Sequence, residues 1–506
     1  MGIPSYYKKL IDRHPNLVKR GGQSLLKSDI LYMDFNCLIY YCLKTQPPYS
    51  SDQREAWESS LIEAVKRYTL VVWEAAGRPA AVFIGIDGVV PMAKIRQQRL
   101  RRFKSVWLAA AEREAGARSG ESWDSNAITP GTAFMEALGA GLKTLGRGWI
   151  ISGADQPGEG EQKLMAAFRS GDGGKAVAVY GLDADLIILS LKAITEKSVK
   201  SWHLLREGGE FGTGTAPFAT LDVCLLLNTL VPPGLSQPEF IIDYICGMSF
   251  LGNDFLPHSL TIKIRDAGHD KMLAALHRLH AKGLRLVLSG KVQGAAADFL
   301  SEWVLAEEDL LLTAIKHKYT MRPMVPRTET ERLMSGVQNR PIEWRAEAAL
   351  VEGPLEKPLR LIDNWKTMYQ GLLHEVPVEQ AVTEYLRGLQ WILDYYCGLP
   401  VSYSWYYPWN LPPLWSQIQE GLRRHTLAAP DVTLPVAPQE QLAMVLPLES
   451  WSLVRDPILR TLPSRASAMW PSAFGFFSMG RRWMWECEAE IPVICVERLR
   501  SIIQRA

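Results

Sequence analysis

The chain has 506 residues, 47% of them hydrophobic and 22% charged, a balance that excludes disorder as the main state. The longest apolar run, around Leu221 to Leu230, is too short to span a bilayer, and the opening MGIPSYYKKL has no apolar signal-peptide core. A net charge of +2 excludes no partner; the placement of the charges is what carries information.

In chain order, short apolar runs at 30–33, 80–86, 149–152 and 176–182 predict buried parallel strands. Helical stretches at 54–76 and 132–145 lie between them. The expected fold class is therefore α/β, a mainly parallel central sheet flanked by helices. Residues 266 to about 319 read as helical, and 321–341, with three prolines, reads as a linker. The remainder is rich in Trp, Tyr and Pro, most densely at 395–415. The expected organisation is a core at 1–265, a helical segment and linker at 266–350, and an α+β second region at 351–506 packed against the core. The fragment GTGTAP (212–217) lacks the strand-to-helix setting of a dinucleotide loop and reads as a plain turn. Seven scattered cysteines without a CxxC pair predict a reduced, intracellular chain with no structural zinc; the expected compartment is the cytoplasm ahead of the nucleus.

The carboxylates fall in a pattern. Asp34 follows the first apolar run and Asp87 the second; Glu159 and Glu161 follow the third, and Asp183 and Asp185 the fourth. Asp254 follows the run FIIDYICGMSFL. Strand carboxyl ends line one edge of a parallel sheet, where ligands bind. Seven carboxylates on one edge repel unless cations intervene. Oxygen donors without a His or Cys cluster suit Mg²⁺ or Mn²⁺, and two such ions clamp a phosphoryl group for in-line displacement.

Seven residues beyond Asp87 lies KIRQQRLRRFK (94–104), with six basic residues and no acid. On a helix, Lys94, Gln98, Arg101 and Arg102 share one face. The plain reading is a solvated charged face; the missing acids and the nearby Asp87 favour a phosphate pocket beside the metals. No GxSxG elbow or GxxxxGK[ST] loop occurs, so a serine hydrolase, a P-loop ATPase or any nucleotide cofactor has no support. His258, in FLPH, reads as structural, not as a metal ligand.

Several segments resemble the XRN family of 5′→3′ exoribonucleases: MGIPSYYKKL, LYMDFN, IDGVVPMAKIRQQRLRRF, DSNAITPGTAFM, PGEGEQKLM, YGLDADLIIL and GNDFLPH. The family's second region is matched by GLPVSYSWYYPWNLPP and PQEQLAMVLPLES. The resemblance implies a core related to flap and PIN-type nucleases. It implies catalytic metal ligands at Asp34, Asp87, Glu159, Glu161, Asp183, Asp185 and Asp254. It further implies a 5′-monophosphate pocket at Lys94, Gln98, Arg101 and Arg102, and base stacking by Tyr40 and Trp405. The implied activity is processive degradation of 5′-monophosphorylated single-stranded RNA to nucleoside 5′-monophosphates.

The chain departs from the family pattern at four places. Tyr40 stands where the family usually has His, Tyr403 replaces a Trp, Gln162 replaces the His of PGEGEHK, and Asn410-Leu411-Pro412-Pro413 replaces an HYAP-like segment. None removes a metal ligand. Two other readings stay open at this point: a structure-specific flap nuclease acting on DNA, and a non-catalytic RNA-binding scaffold that retains the fold.

Overall fold

The computed structural model describes residues 5–146, 148–209, 216–353, 358–373, 376–424 and 427–504. Most of the GTGTAP fragment, read above as a turn, lies outside them. Seven strands form the central sheet: β1 (Val18–Gly21), β2 (Ile30–Asp34), β3 (Ala81–Gly85), β4 (Ile150–Ser152), β5 (Ala176–Tyr180), β6 (Ser201–Glu207) and β7 (Phe218–Asp222). Their order is β1-β7-β6-β5-β2-β3-β4. Strands β2 to β6 run parallel, and β7 and β1 extend the β6 edge antiparallel. The fold is α/β with a mainly parallel sheet.

The four apolar runs are β2 to β5. They carry few polar residues because both faces of the sheet are covered. Side chains alternate between two cores at period two. Tyr32, Val177 and Val179 enter one core; Leu31, Met33, Ala178 and Tyr180 enter the other. Helices Gly160–Ser170, Asp185–Glu196 and Gln237–Ser249 cover the first face. Helices Asn36–Lys44, Arg54–Ala75 and Ala133–Leu142 cover the second. Thr132 caps the last of these, its side chain accepting from the Met135 amide.

The C-terminal region feeds both cores. Helix Val378–Tyr396 packs into the first, and helix Pro438–Val445 into the second. The region is mostly helical, with short antiparallel ribbons at Gly475–Phe477 and Glu488–Glu490 and at Val351–Glu352 and Arg360–Leu361. The stretch read as a linker, 321–341, is different from expectation. It holds helices Glu329–Leu333 and Ser335–Gln338, and Arg340–Glu343 starts at its end. Met334, Asn339 and Pro341 are buried, so this stretch is fastened to the body and is not a tether. Thr328 and Glu331 form a capping box at its start.

Candidate metal centre and phosphate pocket

The strand order has one switch point. From β2 the chain proceeds through β3 to β4 on one side, then crosses to β5 and β6 on the other. A crevice opens between the carboxyl ends of β2 and β5, where such sheets bind ligands. Asp34 closes β2, and Asp183 follows β5 across that crevice. Oxygens of Asp34, Glu161 and Asp183 lie within 4.8 Å of one another. Gly160 makes this possible: a Cβ there would meet Asp34 Oδ1 at 2.6 Å and the Gly85 carbonyl at 2.7 Å. A side chain at position 160 would push the helix carrying Glu161 off the sheet edge.

The other four carboxylates surround this trio in different ways. Glu159 and Asp254 grip the Lys94 ammonium at 2.6 and 2.8 Å. Asp185 is 2% exposed, and its Oδ1 has no hydrogen-bond partner among the described residues. Asp87 is tied to the protein: its Oδ1 accepts from the Gly160 amide at 2.7 Å, and its Oδ2 from Asn36 Nδ2 at 2.8 Å. The Asp87 amide in turn donates to Asn36 Oδ1 at 3.2 Å. This bond pair locks the β3 end to the helix that starts at Asn36.

Crowding shows in the acidities. Burial, then Asp87, Asp183 and Glu159, push Asp34 well above the usual carboxylate range. Burial, then Glu159 and Asp185, do the same to Glu161. Burial and Asp254 lift Asp185 to about 7. Burial also raises Glu159, against the opposing pull of Lys94. Burial pushes Asp254 up too, but Lys94 outweighs it and Asp254 falls below its usual value. Lys94 answers in kind: burial works against its charge, yet Asp254 and Glu159 raise it well above the lysine range. Hence one internal cation already offsets part of the acidic charge, and the unpartnered oxygen of Asp185 marks where another cation is wanted. The donors are all oxygens, which fits Mg²⁺ or Mn²⁺. His258 is not among them; its Nδ1 is bonded to the Leu251 carbonyl at 3.0 Å.

The basic run is a helix, Met92–Glu114. It is not a solvated face: Lys94, Gln98, Arg99 and Arg102 are all buried. Arg102 Nη1 donates to Asn126 Oδ1 at 2.9 Å, while its Nε has no partner. Burial pulls Arg102 down to about 10, which leaves it charged at neutral pH. An unspent buried guanidinium N–H beside the carboxylates is a place for a phosphate oxygen. Arg101 stays half-buried. Lys94 faces carboxylates, not open space, so it bridges the metal and phosphate halves. Arg99, in contrast, points away from the site. Its guanidinium donates to the carbonyls of Pro492 at 3.0 Å, Met444 at 2.9 Å, and Met469.

Tyr40 is 37% exposed and close enough to Arg102 to influence its charge. Trp405 corrects the stacking expectation. It is 7% exposed, packs against Trp391 at 5.3 Å, and donates its indole N–H to Glu384 at 2.9 Å. So enclosed a ring has no open face for a base. Tyr403, two residues earlier, is half-buried, lies within electrostatic reach of Glu159, and accepts from the Met92 amide through its carbonyl.

Sequence reasoning missed Tyr395 and Asn36, and noted Tyr403 only as a departure from the family pattern, without a role. Tyr395 donates its hydroxyl to Glu159 Oε1 at 2.6 Å, from the far side of the chain. Asn36 had a signal, standing two residues after Asp34 in LYMDFN. Tyr395 had none, since a buried tyrosine in an aromatic run reads as core.

Known proteins resemble this chain along most of its length. The family model described as the XRN 5′-3′ exonuclease N-terminus matches residues 1–208, and that of the Xrn1 helical domain matches residues 370–505. The 5′-3′ exoribonuclease 1 of Homo sapiens is 27% identical over 100% of this chain and 34% of its own length. That of Schizosaccharomyces pombe is 25% identical over 99% of this chain and 48% of its own. The 5′-3′ exoribonuclease 2 of a Cryptococcus neoformans strain is 30% identical over 61% of this chain and 36% of its own. The chain thus spans about a third to a half of these relatives. Among solved structures, the catalytic core of Rad2 in complex with DNA aligns at a TM-score of 0.34 and 14% identity, over 65% of this chain and 85% of that one. A score that low carries no argument, and the fold is read from the sheet itself. With both family models matched in order, and with carboxylates and basic helix meeting at one sheet edge, the chain belongs to the XRN family.

Proposed function

We propose that the chain is a processive, divalent-metal-dependent 5′→3′ exoribonuclease acting on 5′-monophosphorylated single-stranded RNA. The observation that carries this reading is a juxtaposition. Asp185 Oδ1, a buried carboxylate oxygen without a partner among the described residues, is within electrostatic reach of Glu161; Arg102 Nε, a buried guanidinium N–H likewise without one, lies on the helix whose Lys94 pairs with Glu159 and Asp254. One calls for a cation and the other for an anion, which is the combination a phosphate ester on metal ions satisfies.

Asp34, Glu161, Asp183 and Asp185 would hold the ions, with Glu159, Asp254 and Asp87 shaping the rim. Bound there, two Mg²⁺ or Mn²⁺ would supply a hydroxide nucleophile and stabilise transition-state charge. Arg101, Arg102 and Gln98 receive the 5′ phosphate and fix the strand's direction. Lys94 offsets charge between the two halves. Tyr40 and Tyr403 offer aromatic faces to the first bases. Water attacks the phosphorus between the first and second nucleotides, and the P–O3′ bond breaks. The first nucleotide leaves as a 5′-monophosphate with a 3′-hydroxyl. The second retains the phosphate as a new 5′ end, so the cycle repeats. An intracellular, cytoplasmic setting belongs to the same proposal.

One RNA in 5′-monophosphate and 5′-triphosphate forms, labelled at the 3′ end, tests this with Mg²⁺ and with EDTA. Loss of the monophosphate form alone, only with metal and with release of mononucleotides, is expected. Binding of both forms without cleavage overturns the proposal in favour of a scaffold. Preferential cleavage of a DNA strand or flap favours the structure-specific nuclease.

A further inference from the structure

The basic helix has a second face. On its flank away from Gln98 and Arg102 lies a cavity of about 1240 Å³, counting the part open to solvent. Six basic side chains line it: Arg96, Arg101, Lys104, Lys263, Arg265 and Arg481. Among the described residues three acids do, namely Asp254, Glu486 and Glu488. Asp254 is already held by Lys94, and Glu486 by Arg265. Glu488 stands 3.9 Å from Arg481, too far for a firm hydrogen bond.

The surplus is buried, which raises its cost. Arg481 is 8% exposed, and its Nε has no hydrogen-bond partner. Arg96 donates to Asn410 Oδ1 at 2.6 Å, but its Nε is likewise unpartnered. Burial, together with Arg481, Arg265 and Arg482, drives Lys263 well below the lysine range. Cations are held this close without matching acids where an anion completes the set. At the wall stands Trp485, 56% exposed, a large ring left open to solvent. Arg101 and Asp254 line this cavity as well as the metal site, so the two are neighbours.

We propose that this cavity is a nucleotide pocket that receives the nucleoside 5′-monophosphate leaving the metal site. Arg481 and Arg96 take the phosphate, and Trp485 stacks on the base. The pocket rests on the exoribonuclease reading for its role but not for its chemistry. It gives the product a place beside the pocket that the next 5′ phosphate must enter, with Arg101 in the wall between them.

The test is calorimetric titration of the whole chain with AMP in EDTA, so that no metal holds the phosphate. Inorganic phosphate and adenosine serve as separate arms, alongside Arg481→Gln and Trp485→Ala. RNA degradation by the wild type is measured in parallel, and thermal unfolding checks each variant. AMP binds one to one, tighter than phosphate or adenosine alone, and each substitution weakens it by about tenfold or more. Added AMP slows RNA degradation by the wild type and slows Arg481→Gln less. If the wild type degrades RNA while both folded variants bind AMP as it does, the pocket is wrong and the exoribonuclease reading stands. If AMP binds through Arg481 but no RNA is degraded, the product role and the exoribonuclease reading fall together. Equal affinity for phosphate and AMP overturns the nucleotide assignment.

Discussion

The Tyr395 hydroxyl donates to Glu159 Oε1 at 2.6 Å, joining residues 236 positions apart. Glu159 is thereby held from both sides, by the tyrosine and by Lys94. Tyr395 itself stacks on Trp391 at 5.0 Å and meets Phe255 edge-on, so its hydroxyl is fixed in place. Removing it with Tyr395→Phe keeps the packing and loses a hydrogen bond to a buried carboxylate, worth ~1.5–3 kcal/mol. RNA cleavage should fall by roughly tenfold, with the Mg²⁺ dependence moved to higher concentration. A Mg²⁺ titration of the cleavage rate checks this; an unmoved midpoint refutes the positioning role.

Asp183→Asn and Asp185→Asn keep side-chain shape and remove charge from the crevice. Cleavage should drop at least about a hundredfold, the scale on which one electrostatic group acts in a transition state. Binding of 5′-phosphorylated RNA should persist, because the basic helix is untouched. Fluorescence anisotropy set beside a cleavage assay separates the two quantities, and near-normal cleavage would remove these residues from the metal set.

Arg102→Gln removes the guanidinium whose Nε is unspent. The preference for 5′-phosphate over 5′-hydroxyl RNA should narrow by about tenfold, the value of a charge-assisted hydrogen bond. Competition between the two RNAs measures the ratio directly. The same ratio in variant and wild type would place the 5′ phosphate elsewhere.

The two aromatic positions should separate cleanly. Trp405→Ala empties a core site and should cost ~3–5 kcal/mol of stability, read as a lowered Tm. Tyr403→Ala should leave Tm nearly unchanged but slow degradation, through loss of stacking worth ~1–3 kcal/mol per base. A slow, fully stable Trp405→Ala would return the stacking role to the tryptophan.

Buried His269 predicts acid sensitivity. Its Nε2 meets the Tyr244 hydroxyl at 2.7 Å, and Tyr244 meets Tyr6 at 2.5 Å. Burial lowers His269 to about 4 from 6.5. The unfolded chain takes up a proton below pH 6.5 that the folded chain refuses until about pH 4. Stability is therefore complete above pH 6.5 and declines as pH falls toward 4, by at most about 3 kcal/mol from this group. Urea unfolding of wild type and His269→Gln across this range isolates the contribution; parallel curves would assign acid sensitivity to other groups.

Much of this was legible in the amino-acid order, for a physical reason. Strands β2 to β5 are buried on both faces, so each is a short apolar run, and the acids that end or follow them stand out against it. Strands β1, β6 and β7 were not recognised. β1 (VKRG) and β6 (SWHLLRE) mix polar residues in, lying toward the sheet's antiparallel edge. The basic helix was legible because cations without acids are rare. Its division of labour was not: Lys94 faces carboxylates, Arg99 faces carbonyls, and Arg102 keeps a free N–H, differences set by neighbours distant in sequence. Trp405 and Tyr403 show the same limit, since only packing tells which ring of YSWYY turns inward.

Arg99 has a consequence for timing. Its guanidinium is spent on three carbonyls beyond residue 440, and Glu159 relies on Tyr395. Every carboxylate of the crevice lies at or before residue 254, yet the Arg99 side of the helix that lines it is clamped by carbonyls beyond residue 440. A chain built as far as residue 254 thus carries the full acidic set, with the basic helix held through Lys94 and Arg102 but with Arg99 and the Tyr395 side of Glu159 still without their partners. The acidic set and the clamps on its basic wall thus lie in opposite parts of the sequence, and the crevice takes its final shape only when the two have come together.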